Sequence, residues 1–149
     1  MQLTCETYEA LSKEALYAIL RLRSSVFIAE QGCLYQDIDN KDKIAYHCML
    51  HHEEILAGYC RILPSGIKHT YPAITRYALH QNVRGKGWGK RLFAYAIERL
   101  RHYYPHSPIY IQAQHYLHDF YSAFDFVQLG EVYDEAGIAH IDMVTYSCI

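Results

Sequence analysis

The segment from Ile74 to Arg101 restricts what this chain can fold into more than any other part of it. Ile74 to Leu79 is a short apolar run that reads as a strand, and Leu92, Phe93, Ala96, Ile97 and Leu100 then recur at helical spacing, with Glu98, Arg99 and Arg101 between them. The connection reads Arg84-Gly85-Lys86-Gly87-Trp88-Gly89-Lys90-Arg91. A strand therefore passes through a glycine-rich, basic turn straight into a helix N-terminus.

Such a terminus presents backbone N–H groups that lack intrahelical acceptors, and the aligned peptide dipoles place partial positive charge there. Glycine lets several of these groups face one concavity because no Cβ holds a ligand away. Arg84, Lys86, Lys90 and Arg91 add full charges. This chemistry suits a phosphate or pyrophosphate, although the turn taken alone also fits a solvated strand-to-helix connection. Two familiar phosphate sites are excluded by spacing. A P-loop needs glycine five residues before its Gly-Lys pair and Ser or Thr after it, where this chain has Arg84 and Arg91; a dinucleotide fingerprint needs G-x-G-x-x-G, where this chain has G-x-G-x-G.

The length of 149 residues and a composition that is 51% hydrophobic and 20% charged suit one globular domain spanning 1–149. A net charge of -2 argues against a general nucleic-acid binder, which needs a broad basic surface. Cys5, Cys33, Cys48, Cys60 and Cys148 form no C-x-x-C pair and leave one over, so neither a disulfide framework nor a zinc knuckle is expected. The early residues carry Glu6, Glu9 and Glu14 and no apolar run, and no segment has the length of apolar sequence that a membrane span requires. The expectation is a soluble cytoplasmic protein.

Along the chain, Thr4 to Tyr8 reads as a first strand. Ser12 reads as the N-cap of a helix with Leu16, Ile19, Leu20, Val26 and Phe27 on one face, Lys13, Glu14, Arg21 and Arg23 on the other, and a stop near Gly32. Leu34 to Lys43, with Asp37, Asp39 and Asp42, reads as a polar surface loop; the central glycine and closing glutamate of a calcium loop are missing. Ala45 to His51 and Ile55 to Leu63 form a hairpin pattern. Ile109 to Ala113 is a further strand, Tyr116 to Phe124 a short helix, and Phe126 to Leu129 and His140 to Tyr146 a closing pair of strands joined by a turn at Asp134 to Gly137. This order gives helices packed on a mixed sheet.

Arg-Gly-x-Gly-x-Gly between a strand and an amphipathic helix resembles the acetyl-coenzyme A pyrophosphate loop of the GNAT acetyltransferases. The run Ala113 to Phe126 resembles their second signature, a strand and short helix ending in Phe-Tyr-x-x-x-Gly-Phe, with Asp125 standing where glycine is usual. Leu20-Arg21-Leu22-Arg23, Val26-Phe27-x-x-Glu30-Gln31, Gly130-Glu131-x-Tyr133 and Gly137-Ile138-x-His140-Ile141-x-Met143 resemble the ElaA-like branch of that superfamily. The resemblance implies an α/β (α+β) GNAT fold, a mixed, mostly antiparallel sheet flanked by helices. It also implies an N-acetyltransferase using acetyl-coenzyme A and no metal. Position by position, it assigns the backbone of Tyr77, Ala78 and Leu79 to the pantetheine arm, Arg84, Gly85, Lys86, Gly87, Trp88, Gly89 and Lys90 to the diphosphate, Gln114 to a further coenzyme contact, and Tyr121 to protonation of the departing thiolate.

Acyl transfer to an amine passes through an oxyanion that a fixed N–H stabilises, and the amine must arrive neutral, which calls for a base or an ordered water. Glu30, His47, His80, Glu131 and His140 are the candidate bases. His47 and His140 lead because they interrupt apolar strand runs and histidine titrates in the useful range. His115 and His118 share a helix face and His51-His52 adjoin a turn, but linear spacing supplies no third zinc ligand. The acceptor is expected to be a small-molecule or peptide amine, with the acidic loop Asp37 to Asp42 hinting at a cationic one; nucleic acid and membrane are not expected partners. An acyl-coenzyme A binding or sensing module without turnover is the alternative. An apolar closing strand from Ile138 to Ile149 leaves room for a homodimer.

Overall fold

The computed structural model describes residues 1–147; Cys148 and Ile149, the end of the expected closing strand, lie outside the described residues. The elements are β1 Gln2–Thr7, α1 Lys13–Arg23, β2 Tyr46–His52, β3 Ile55–Leu63, β4 Ala73–Leu79, α2 Trp88–Tyr103, β5 Ile109–Gln114, α3 His118–Ser122, β6 Val127–Glu135 and β7 Ile138–Thr145. Ser12 caps α1 as its sequence suggests, its Oγ accepting from the Ala15 amide at 3.0 Å. Beyond Arg23 the helix widens into π-helical turns over Ser24–Glu30, a geometry that concentrates at functional sites.

The strands form one seven-stranded sheet in the order β1-β2-β3-β4-β5-β7-β6. Every neighbouring pair is antiparallel except β4 and β5, which are parallel. β3 is central and buried from Leu56 to Leu63 because both faces are covered. One face packs Cys60 and Ile62 against Leu92, Phe93, Ala96 and Leu100 of α2; the other packs Tyr59 against Ile19, Leu22, Val26 and Phe27. β6 runs on to Glu135, farther than its apolar residues suggest, and turns into β7 through Ala136 and Gly137, both with positive φ, the geometry of a two-residue hairpin loop. β7 lies between β5 and β6, so the expected dimer contact through this closing strand is not available; β1 and β6 are the sheet edges.

The loop read as polar surface is in fact an internal fastening. Arg23, assigned by pattern to the exposed face of α1, is fully buried, and so is Arg61 of β3. Asp42 bridges them, 2.7 Å from Arg23 Nη1 and 2.9 Å from Arg61 Nη1. Asp39 pairs with Arg61 at 2.8 Å and Asp37 with Arg23 at 3.1 Å. Arg76 completes the group, 2.8 Å from Asp37 and 3.3 Å from Asp39. Three aspartates thus neutralise three arginines, which removes the basis for expecting a cationic acceptor there.

Removing one partner of such a group leaves charge buried without compensation, which typically costs about 3–5 kcal/mol. Asp42→Ala is expected to lower unfolding free energy by roughly that amount in urea titration. Acid should act on the same group. Burial alone would raise the Asp39 carboxyl, but hydrogen bonds and charge from Arg61, with the Lys41 amide and Arg76, bring it to about 2. An unfolded aspartate titrates near about 3.9, so the folded state binds fewer protons between these values. The stability Asp39 contributes is complete above about pH 4 and is lost as pH falls towards 2. Urea midpoints measured across that range should fall steeply, and Asp39→Asn should flatten the fall.

Candidate active site

β4 is held by β3 along one edge, but against β5 its register reduces to Ala73 opposite Tyr110. Beyond that pair the two strands part, leaving the cleft-facing edge of β4 without a strand partner among the described residues. A bulge assists the parting: the β3–β4 register shifts between Tyr59 and Arg61, and Arg76 sits at φ 56°. A bulged residue bends its strand and re-aims the side chains beyond it. Ion pairs to Asp37 and Asp39, with the Tyr35 ring 4.9 Å away, hold the Arg76 side chain against this unfavourable conformation.

The resulting cleft encloses about 710 Å³. Its floor is Tyr77, Ala78 and Leu79 of β4; its walls include Val26 and Phe27 on one side and Tyr116, Phe120 and Tyr121 on the other. One end is the glycine-rich turn. Among the described residues, the backbone N–H groups of Gly85, Lys86, Gly87, Trp88, Gly89 and Lys90 have no protein acceptor; the first closed bond is Arg91 N–H to the Gly87 carbonyl at 3.3 Å. Gly87 stands at φ 79° with open space where a Cβ would be. Gly89 is needed for a different reason: a Cβ there would fall 2.3 Å from Tyr77 Oη and 2.6 Å from Leu79 Cδ1. An anion-binding set of amides is thus packed directly against the open strand, and the residues present fit the diphosphate and amide-bearing arm of coenzyme A.

The assigned residues divide by where the structure puts them. Tyr77, Ala78, Leu79, Arg84, Gly85, Gly87, Gly89, Lys90, Gln114 and Tyr121 line the cleft. Lys86 and Trp88 do not: the indole packs edge-on against His52 at 4.3 Å, with the Lys86 ammonium 5.8 Å from the indole ring. Arg84 bonds the Leu79 carbonyl at 2.8 Å and Glu30 at 2.8 Å. Gln114 donates to Gln31 Oε1 at 2.9 Å, a partner across the cleft that composition did not single out.

Tyr121 is buried, its ring 5.1 Å from Phe93. Burial, with Tyr77 beside it, pushes its phenol far above the ordinary range, so it is protonated at neutral pH. Asp125 replaces the usual glycine without disturbing this turn. It adopts φ 66°, its amide bonds the Ser122 carbonyl at 3.0 Å, and the Phe126 amide reaches the Tyr121 carbonyl at 3.4 Å; aspartate tolerates that conformation better than most residues.

His47, a leading candidate base, is corrected by the structure. It is wholly buried away from the cleft, with Nε2 donating to the Asp42 carbonyl at 2.8 Å and Nδ1 accepting from Tyr59 Oη at 2.8 Å. Burial lowers its pKa, keeping it neutral. Glu30 is committed to Arg84, whose hydrogen bond lowers its pKa, and to Gln81. His80 accepts from the Asn82 amide in the turn after β4, and Glu131 lies exposed on β6; neither lines the cleft. His140 remains. Its Nδ1 lies 2.7 Å from the Ile138 carbonyl, so Nδ1–H donates and Nε2 keeps a lone pair, while the imidazole stacks on Tyr133 and lines the cleft.

Among the described residues no group of three His, Cys, Asp or Glu is placed to hold a metal, and no helix is long and apolar enough to cross a membrane.

A parted strand edge ending at unpaired amides, with a protonated phenol on the wall, defines an acyltransferase that draws on acyl-coenzyme A. The chain belongs to the GNAT acetyltransferase family: the model of the acetyltransferase (GNAT) domain matches residues 8–147. It is 38% identical to the protein ElaA of Escherichia coli over 138 residues, 91% of this chain and 90% of that one. The crystal structure of Escherichia coli ElaA superimposes with a TM-score of 0.91 at 36% identity, covering 97% of this chain and 98% of that chain. An acyl-CoA N-acyltransferase from Pseudomonas aeruginosa gives a TM-score of 0.91 at 33% identity with the same coverage.

Gly89→Ala is expected to destabilise the fold by about 1–3 kcal/mol, the usual cost of overpacking. It should also weaken coenzyme binding, because the Tyr77 and Leu79 side chains on the cleft floor, or the first turn of α2, must shift to admit the methyl group. Thermal unfolding with and without acetyl-coenzyme A measures both effects.

Proposed function

We propose that this enzyme transfers acetyl from acetyl-coenzyme A to a primary amine by direct attack within a ternary complex. The observation carrying this reading is the parting of β4 from β5 beside the unpaired amides of residues 85–90. The open edge of β4 positions an amide-containing arm, the turn holds the diphosphate, and the thioester then lies near Tyr121. Holding both reactants in one cleft supplies much of the acceleration. The amine lone pair forms the C–N bond while the C–S bond breaks. Sulfur takes the proton of Tyr121, and the nitrogen yields its own to His140 Nε2, directly or through one water. The proton returns from His140 to Tyr121 through solvent, leaving an amide and a free thiol.

Four variants test the assignment. Tyr121→Phe should lower kcat by roughly 10²-fold, within the range typical of general acid catalysis, while coenzyme affinity stays within about twofold. Gly87→Glu should abolish acetyl-coenzyme A binding in calorimetry without loss of fold. His140→Gln should lower kcat by roughly 10²-fold, within the range of general base catalysis, whereas His47→Gln should lower the unfolding temperature and leave kcat of the folded protein nearly unchanged. Failure of the wild-type protein to bind acetyl-coenzyme A at millimolar concentration would sink the reading. Binding without thiol release for any amine would favour a sensing module instead.

A further inference from the structure

The end of the cleft remote from the glycine-rich turn is crowded with charge, nearly all of it matched internally. Asp37, Asp39 and Asp42 are committed to Arg23, Arg61 and Arg76. Two lysines are left over. Lys41 opens the short helical turn Lys41–Ile44 and Lys68 lies between β3 and β4; both line the cleft, and neither makes a salt bridge to a described residue. Lys41 is half-buried. Lys68 lies within reach of the Glu135 carboxylate, whose charge acts on it most, and of the Lys41 and Arg76 charges that oppose it.

Groups of complementary character stand beside them. Glu135, at the end of β6, lines the cleft, has no arginine partner among the described residues, and accepts a hydrogen bond from Gln112 of β5. His140 lies on β7 opposite Tyr133, two residues before Glu135, and lines the same cleft. Glu135 and His140 therefore suit an amine and its departing proton, and Lys68 with Lys41 close by suits an anion.

We propose that the acceptor is an amine that also carries a carboxylate, of the amino-acid or short-peptide class. Its nitrogen faces Glu135 and His140, and its carboxylate bridges Lys41 and Lys68. This rests on the acetyl-transfer reading above and names the substrate class for that same cleft. A carboxylate there relieves the mutual repulsion of the lysines, whereas a polyamine would add to it.

The test compares L-α-amino acids and dipeptides with the same molecules as C-terminal carboxamides, reading thiol release from acetyl-coenzyme A. The free acids should exceed the carboxamides by about tenfold or more in kcat/KM, the scale of one charge-assisted contact. Lys68→Met should bring the ratio close to one, and Lys68→Glu should invert it. Equal or faster turnover of carboxamides or polyamines by the wild-type protein overturns the proposal while leaving acetyl transfer standing. A second measurement does not depend on turnover: calorimetry of N-acetyl amino acids against N-acetyl amino acid amides on the coenzyme A complex. The acid should bind about tenfold tighter or more in the wild-type protein and equally in Lys68→Met. Equal binding, or none, in the wild-type protein rejects the carboxylate site. Acetyl-coenzyme A titrated without any acceptor reports separately whether the underlying reading holds.

Discussion

The bridge from Asp42 to Arg23 and Arg61 is the interaction on which the working parts of this molecule depend. It joins the end of α1, the loop after it and the central strand at a point that water does not reach. A buried ion group of this kind is a doubtful source of net stability, because desolvating each charge is costly. Its value here is positional. Once Asp37 and Asp39 are drawn inward with Asp42, they present a carboxylate pair that Arg76 can reach only from a bulged strand. The ion pairs to that pair and the bulge in β4 thus meet at one residue, Arg76, just before β4 runs on without β5.

Much of this was legible in the residues. The strand-turn-helix around Gly87, the cap at Ser12 and the central hairpin are local features, set by spacing and turn chemistry, and they stand where the pattern puts them. The glycine-rich end of the cleft was legible for the same reason, since it is built from one continuous stretch. Arg23 was misread although its position is informative: it falls four residues after Ile19, on the apolar stripe, and a charge at such a position signals a buried partner. The three aspartates looked like solvated loop because their partners come from three separate elements. His47 looked catalytic because it breaks an apolar run, and the carbonyl that occupies it belongs to a residue five positions earlier in a different element.

The acceptor end was the least legible part. Lys41, Lys68, Gln112 and Glu135 come from four places in the chain, and nothing in their local sequence distinguishes them from ordinary surface residues; His140 alone stood out, by interrupting an apolar strand run. Only the sheet order, with β7 inserted between β5 and β6, brings Glu135 and His140 to face the loops before β4. The division is physical: a nucleotide's diphosphate is met by consecutive amides, whereas a small acceptor is met by side chains that the fold must gather.

The parting of two neighbouring strands inside a sheet also bears on how the molecule avoids its own kind. An unpaired strand edge at the rim of a sheet is a template for joining another chain, and proteins usually blunt it with charge or bulges. Here the vacant edge of β4 lies at the bottom of a recess walled by helical turns, so a foreign strand, with its own side chains and neighbours, is too broad to enter. The coenzyme proposed above carries peptide-like amides along a slender, flexible arm, a shape that suits such a recess. Enclosure of the vacant edge thus keeps it away from the rim, where another chain's strand could pair with it.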